Sequence, residues 1–380
     1  MLHQVEISRS ALLNSVSQYR SILGGSEFFA VIKSNAYGHG IREATLILSP
    51  AVDGFAVNHI SEASQVYELT DRPFLIMGRY DFDESSLLLD LDSSRITVVL
   101  SDLDEIKHLT DLRSDIRFHL KIDTGMGRLG YRKDSQQLNK VFDYLAQNPT
   151  LNWSGIMTHF ANVEDVTDQS FAQHQLDEFE VISKKAVEAA GHRRLAKHSA
   201  ASAAALLLPK SRLDLVRVGI SLYGLWPSKA TQLSYISMTA NKSAKKAEAI
   251  NLEPALRWRT KIVHINEVEA ESKIGYGCTF QTHYATRVAV LPIGYFEGYD
   301  RGLSNCGYVI IESRQAPVIG RVCMNMTMVD ITHIPDAKVG SDVTLIGPGV
   351  SADNLADLLG TINYEIVTRI NSSLPRIIVD

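Results

Sequence analysis

Cysteine is scarce in this 380-residue chain: Cys278, Cys306 and Cys323 are the full set, and none forms a C-x-x-C pair. An odd number without that spacing suggests neither a disulfide framework nor a zinc site, so a reducing compartment and no metal are expected. Long apolar runs are missing too. The longest, "AASAAALLLP", is too short to span a bilayer, and the opening "MLHQVEISRS" lacks the basic head and apolar stretch of a signal peptide. A cytoplasmic location is the expectation. Nor is there a basic excess. Lys and Arg number 38 against 43 Asp and Glu, and a formal charge of -5 argues against nucleic-acid or anionic-membrane partners, either of which calls for a concentrated basic face. Small molecules are the partners that remain.

What is present is ordinary globular composition, 45% hydrophobic and 21% charged, with material for a large core and two domains. Between about residues 28 and 218, short β-type runs alternate with helical stretches. The runs are "FFAVI" (28–32), "GFAVN" (54–58), "PFLIM" (73–77), "RITVVL" (95–100), "IRFHLKI" (116–122), "NWSGIMT" (152–158), "RLAKH" (194–198) and "LDLVRV" (213–218). Stretches such as "SEASQVYEL" and "DEFEVISKKAVEAA" carry apolar residues at three- and four-residue steps. Eight βα units suggest an α/β fold with a TIM-type (β/α)8 barrel over 1–227, an open α/β sheet being the alternative. Residues 228–252 are polar and lysine-dotted and read as a linker or surface excursion. From 253 to 380, β-type runs punctuated by Gly, Pro and Asp read as a mainly β domain, with one helical pair, "ADNLADLL" and "NYEIVTRI". The first few residues are expected to pair with this second domain.

Catalytic groups of a (β/α)8 barrel sit where strands finish. The strand ends here offer Lys33, Asn58 and His59, Arg79, Asp102, Lys121 with Asp123, His159, His198 and Arg217. A lysine closing a buried strand must find a counter-charge or lose its proton, and a neutral amine suits Schiff-base chemistry with a carbonyl cofactor. The loop after Lys33 adds the Tyr37 hydroxyl and two glycines, Gly38 and Gly40, so phosphate-bearing pyridoxal is the cofactor these residues suggest.

The series "AVIKSNAYGHG" (30–40), "KIDTGMGRLG" (121–130), "MTHFANVED" (157–165), "RVGISLYG" (217–224), "IGYGCTF" (274–280), "PIGYFEGYDR" (292–301), "GRVCMN" (320–325) and "INYE" (362–365) resembles the successive motifs of the alanine racemases, in that family's order and across both domains. The resemblance implies that Lys33 binds pyridoxal 5'-phosphate and serves as one catalytic base, with Tyr276 the other. Two bases suit racemisation, because a proton leaves one face of the α-carbon and returns to the opposite one. A phenol, ordinarily near pKa about 10, needs cationic neighbours for that work at neutral pH. By the same resemblance His198 would hydrogen-bond the tyrosine, with His159 and Arg217 continuing the network.

Arg217 would face the pyridine nitrogen; read without the motif, it would instead be an ion pair with Asp214. Phosphate contacts would come from Tyr37, Ser202, the amides of Gly219 and Ile220, and Tyr364. Arg128 and the Met324 amide would meet the substrate carboxylate, with Tyr295 in support. Lys121 matches a position carbamylated in many members, where the carbamate would orient Arg128. Tyr276 would reach the barrel mouth of a second copy, which implies a head-to-tail homodimer with shared sites and the provision of D-alanine for peptidoglycan.

Three positions depart from the family pattern: Ala201 stands where "ANS" is usual, Asn325 where "CMD" is usual, and Glu297 replaces the Asp of "YADG". These bear on substrate preference more than on reaction type. A racemase for serine or several small amino acids is therefore the nearest alternative, since one extra hydroxyl is poorly rejected by a small pocket. A non-catalytic pyridoxal-phosphate-binding barrel would lack the β domain, and a decarboxylase would need other residues than Arg128 over the carboxylate.

Overall fold

The computed structural model describes residues 2–240 and 250–380. Its contacts divide the chain into two units: Leu12–Ser34 with Ala44–Glu253, and Met1–Ala11 with Asn35–Glu43 and Pro254–Asp380.

The first unit is the barrel. Its strands are β1 (Glu27–Val31), β2 (Gly54–Val57), β3 (Phe74–Ile76), β4 (Ile96–Leu100), β5 (Arg117–Asp123), β6 (Trp153–Met157), β7 (Ala196–His198) and β8 (Leu215–Val218). All pair in parallel in the order β8-β1-β2-β3-β4-β5-β6-β7. The ring is completed between β7 and β8 by two backbone bonds, Asp214 N–H to Lys197 O (3.1 Å) and Arg217 N–H to Ala200 O (3.0 Å). A barrel, not an open sheet, is thus formed. Phe28, Phe55, Phe74 and Phe118 are fully buried. The alternate residues of β5, His119 and Lys121, turn to the other face, as a period of two requires. Space inside is made by glycine: a Cβ on Gly155 would stand 2.5 Å from the His119 ring, and one on Gly54 2.5 Å from the Phe29 ring.

The long helix Ser170–Ala189 buries Ala172, Gln175, Leu176, Phe179, Ile182, Ser183 and Ala186, the three- and four-residue stripe expected of a helix on a barrel. Part of the polar stretch read as a linker or surface excursion is helical. Lys229–Ala240 is a helix, held where the Thr231 hydroxyl donates to Glu164 O at 2.9 Å and where Tyr235 is buried. Its pattern was too polar to announce that. The remainder of that stretch, residues 241–249, lies outside the described residues.

The second unit holds a six-stranded sheet ordered Arg314–Pro317, Tyr308–Ile311, Asp342–Ile346, Leu256–Lys261, Gln4–Ser8 and Arg376–Val379, with a three-stranded sheet of His264–Val268, Thr286–Leu291 and Thr327–Asp330. Gln4–Ser8 runs antiparallel to Leu256–Lys261 and parallel to Arg376–Val379. Helices Ala352–Leu359 and Asn363–Thr368 form the expected pair. No described helix is long and apolar enough to cross a membrane, and no described cluster of His, Cys, Asp or Glu could hold a metal ion.

Candidate active site

The barrel mouth gathers basic side chains on buried ground. Lys33 stands two residues past β1; burial and the nearby Arg128 lower its pKa, opposed by Glu62. Lys121, inside β5, is held well below the ordinary lysine value by burial, then by Arg217 and Arg128, against Asp123 alone. His159, two residues past β6, is held neutral by burial and by Lys121, Arg217, Arg128 and Lys33. Two amines and an imidazole are therefore pushed toward their neutral, nucleophilic or proton-accepting forms. Such a mouth calls for an anion.

Arg217 on β8 is 2% exposed, and burial lowers its pKa to about 9, which leaves it charged at neutral pH. Its Nη2 donates to Thr158 O (3.0 Å) and Ser199 O (2.9 Å), and Nη1 meets His198 Nδ1 at 2.5 Å. The ion pair with Asp214 is absent: that carboxylate takes the Arg194 guanidinium at 3.1 Å and the Lys197 amide at 2.7 Å instead. Arg217 thus keeps its Nε–H and one Nη1–H without a protein acceptor among the described residues.

Within the barrel His198 has partners that the sequence did not announce. His198 Nδ1 accepts from Arg217, and its Nε2 lies 2.8 Å from His119 Nδ1, so both ring nitrogens are used within the barrel. A guanidinium can only donate. His198 is therefore the Nε2–H tautomer, donating to His119, and both imidazoles are kept neutral by burial. His119 was missed by sequence reasoning; its signal was a histidine two residues before Lys121 in an apolar strand.

Arg128 sits on the exposed loop after β5. The Asp123 carboxylate pins that loop, accepting Gly125 N–H at 3.1 Å and Gly127 N–H at 3.0 Å. Gln175, fully buried, links the loops after β5 and β6 by taking the Ala161 amide at 3.0 Å and reaching Thr124 Oγ1 at 3.3 Å. Glu62 was also missed. It accepts the Ser34 amide at 2.6 Å and the Asn58 amide at 2.7 Å, placing a carboxylate beside the Lys33 turn. Other strand-end groups serve locally: Asp102 caps helix Leu103–Leu112, and Arg79 lies 3.6 Å from Glu105.

After Lys33 the backbone does something the sequence does not announce. Ser34, Asn35, Ala36 and Tyr37 all have φ near +53°, four consecutive left-handed residues without a glycine among them. Each costs about 1–2 kcal/mol relative to a right-handed turn. Local bonds offset this: His39 N–H to Ala36 O (3.0 Å), Gly40 N–H to Asn35 O (2.9 Å), and the buried His39 Nδ1 at 3.0 Å from Tyr37 O. Strain of this kind concentrates at functional sites.

The expected phosphate contacts fall in two groups. In the barrel unit Ser202 Oγ accepts the Gly219 amide at 2.9 Å, with Ile220 next in the chain. In the other unit the rings of Tyr37 and Tyr364 lie 6.0 Å apart. That unit also has a cavity lined by Tyr276, Tyr295, Arg301, Arg321, Met324 and Asn325. Tyr276 stands in a turn between Gly275 and Gly277, both left-handed, and is 72% exposed.

The descriptions of two known domains fit this geometry. The model of the alanine racemase N-terminal domain matches residues 7–227, and that of the alanine racemase C-terminal domain matches 255–378. The chain belongs to the alanine racemase family. A curated alanine racemase of Leptospira interrogans is 43% identical over 99% of this chain and 95% of its own length. One from Clostridium perfringens is 34% identical over 98% and 94%. Among solved structures, an alanine racemase of Clostridium difficile 630 superposes with TM-score 0.89 at 29% identity, covering all of this chain and 96% of its own. That from a D-cycloserine-producing Streptomyces lavendulae gives 0.88 at 26% identity, over all of this chain and 97% of its own. Like its alanine racemase relatives, the chain is an isomerase built on a barrel followed by a mainly β domain.

Proposed function

We propose that the chain interconverts L- and D-alanine with pyridoxal 5'-phosphate as cofactor and Lys33 and Tyr276 as the two bases, providing D-alanine for peptidoglycan. The observation that carries this reading is the cation-rich barrel mouth, where Lys33 is lowered in pKa and the buried Arg217 is charged and, among the described residues, has no carboxylate partner. Pyridoxal phosphate fits such a place: it is an anion, its aldehyde can bond to a neutral amine, and its ring nitrogen could accept the spare Arg217 N–H. When bound, it would supply the electron sink that makes the α-proton acidic.

The remaining work falls to this chain's side chains. Lys33 holds the cofactor and, freed from it, moves the α-proton on one face. Tyr276 serves the opposite face, so that a proton taken by one base and returned by the other inverts the centre. Arg217, which keeps its own proton, would hold the ring, and His159 would lie beside it. Tyr37, Ser202, Tyr364 and the amides of Gly219 and Ile220 take the phosphate. Arg128, with the Met324 amide and Tyr295, takes the substrate carboxylate. The strongly lowered pKa of Lys121 favours the neutral amine that reacts with carbon dioxide, in line with carbamylation there; intact mass under carbon dioxide would reveal it.

Tyr276 and the Arg301 and Arg321 that line its cavity are all exposed, so water screens those charges and leaves the phenol a poor base. We therefore propose a head-to-tail homodimer in which a second copy's Tyr276 completes each site; activity should vanish on dilution below the dimer's dissociation constant, and a fully active monomer would contradict it. The deciding experiment incubates purified protein and cofactor with a panel of L-amino acids in heavy water. Alanine should invert fastest with deuterium at the α-carbon. Serine inverting faster would move the reading to a serine racemase, and exchange without inversion would leave one working base.

A further inference from the structure

The turn carrying Met324 has little apolar support: Met324 is 55% and Met326 53% exposed. Polar links fix it instead. Cys323 N–H donates to Met326 O at 2.8 Å, closing the turn, while Tyr295 N–H donates to Cys323 O (3.0 Å) and Phe296 N–H to Met324 O (2.9 Å). The approach is so close that a Cβ on Gly294 would lie 2.2 Å from Cys323 O. At the tip one side chain reaches back: Asn325 Nδ2 donates to Glu297 Oε1 at 2.7 Å. Glu297 is 8% exposed, and its other oxygen accepts Gly294 N–H at 2.8 Å. Both carboxylate oxygens thus face N–H donors, and among the described residues no Lys, Arg or His forms an ion pair with this group.

We infer that the Glu297 carboxylate and the Asn325 amide form a latch that holds the Met324 turn against the Tyr295 segment, and that both are positioning residues for substrate in the Tyr276 cavity. The inference rests on the proposed racemase reading, in which Met324 and Tyr295 attend the substrate carboxylate. Two positions that look like separate departures in the sequence are one paired feature in the structure.

The hydrogen-bonding inventory of the pair dictates the test. Asn325→Asp sets a carboxylate against a carboxylate, so the turn is repelled or one acid must take up a proton. Glu297→Gln alone is milder: the introduced amide can keep its oxygen on the Gly294 N–H and offer its NH2 to a rotated Asn325. In the double variant, Glu297→Gln with Asn325→Asp, that NH2 meets the new carboxylate and every donor is satisfied again. The expected KM for alanine rises about tenfold in Asn325→Asp, in line with the loss of a charge-assisted bond. It returns to within about threefold of the wild type in the double variant. Throughout, kcat falls less than KM rises, and the cofactor's visible band stays unchanged.

An unaltered KM in Asn325→Asp, or a double variant no better than that single one, overturns the latch. Should Asn325→Asp not fold, Asn325→Ala takes its place, with a KM increase of about fivefold expected on loss of one such bond and no change overturning the proposal. The backbone amide shifts of Tyr295 and Met324 keep the two readings apart. If the wild type does not racemise alanine, the racemase reading falls, while shifts that move in Asn325→Asp and return in the double variant still sustain the latch.

Discussion

The barrel mouth and the Tyr276 cavity prepare their proton-moving groups in opposite ways. In the barrel, the buried Lys121 and the half-buried Lys33 and His159 are each pushed toward the neutral form by desolvation and then by neighbouring cations, Arg128 among them in every case. In the β unit, Tyr276 stands 72% exposed on a glycine-flanked turn, with methionines and another tyrosine beside it and with Arg301 and Arg321 exposed on the cavity wall, where water screens their charge. The first region makes its own electrostatics, because a closed ring of strands can exclude water from several charges at once. The second supplies a phenol and a shape. A base of the second kind must borrow its environment, which is why the proposed function needs two copies of the chain.

That contrast can be broken most forcefully at Lys33. Lys33→Ala should lose the cofactor's visible band and all measurable racemisation together; a retained band would mean that another amine holds the cofactor. A smaller effect is expected at Asp123, whose carboxylate fixes the loop bearing Arg128. Asp123→Asn replaces an anion that accepts two amides by a weaker acceptor, so KM for alanine should rise about tenfold with little change in kcat, a loss near that of one charge-assisted bond. Steady-state kinetics would show it, and an unchanged KM would detach Asp123 from Arg128.

Acid stability tests the closed region through His119, with the buried His39 of the other unit behaving alike. Burial lowers His119 from 6.5 to about 3 and His39 from 6.5 to about 4, so both stay neutral when folded. Between those folded values and 6.5 the unfolded chain binds more protons. The stability that goes with neutral histidines is complete above about pH 6.5 and is lost as pH falls. Removing one such group should lessen that loss by about 1.4 kcal/mol per pH unit. Calorimetry of His119→Gln against wild type between pH 4 and 6.5 reads the difference directly; parallel curves would mean that His119 is protonated in the fold.

The barrel was legible because each strand is a short apolar run ended by polar residues, and Lys33 and Arg217 were legible as charges at those ends. What stayed hidden is what depends on three-dimensional company. The left-handed run Ser34–Tyr37 has no glycine to announce it and is held by bonds that form only in the fold. Glu62 reads as an ordinary helix-face acid until it meets the Ser34 amide. That His198 meets His119 and Arg217 was hidden as well, because sequence gives the residue and not which neighbour claims each ring nitrogen. Helix Lys229–Ala240 buries Thr231 and Tyr235, too few apolar positions to stand out from a polar stretch.

The two-base claim is tested most directly by Tyr276→Phe assayed from each enantiomer of alanine in heavy water. Loss of a positioned general base costs about 10²–10⁴-fold. Deuterium exchange from L-alanine should fall by that amount, while exchange from D-alanine, served by Lys33, should fall far less. Equal losses from both enantiomers would contradict the assignment of Lys33 and Tyr276 to opposite faces.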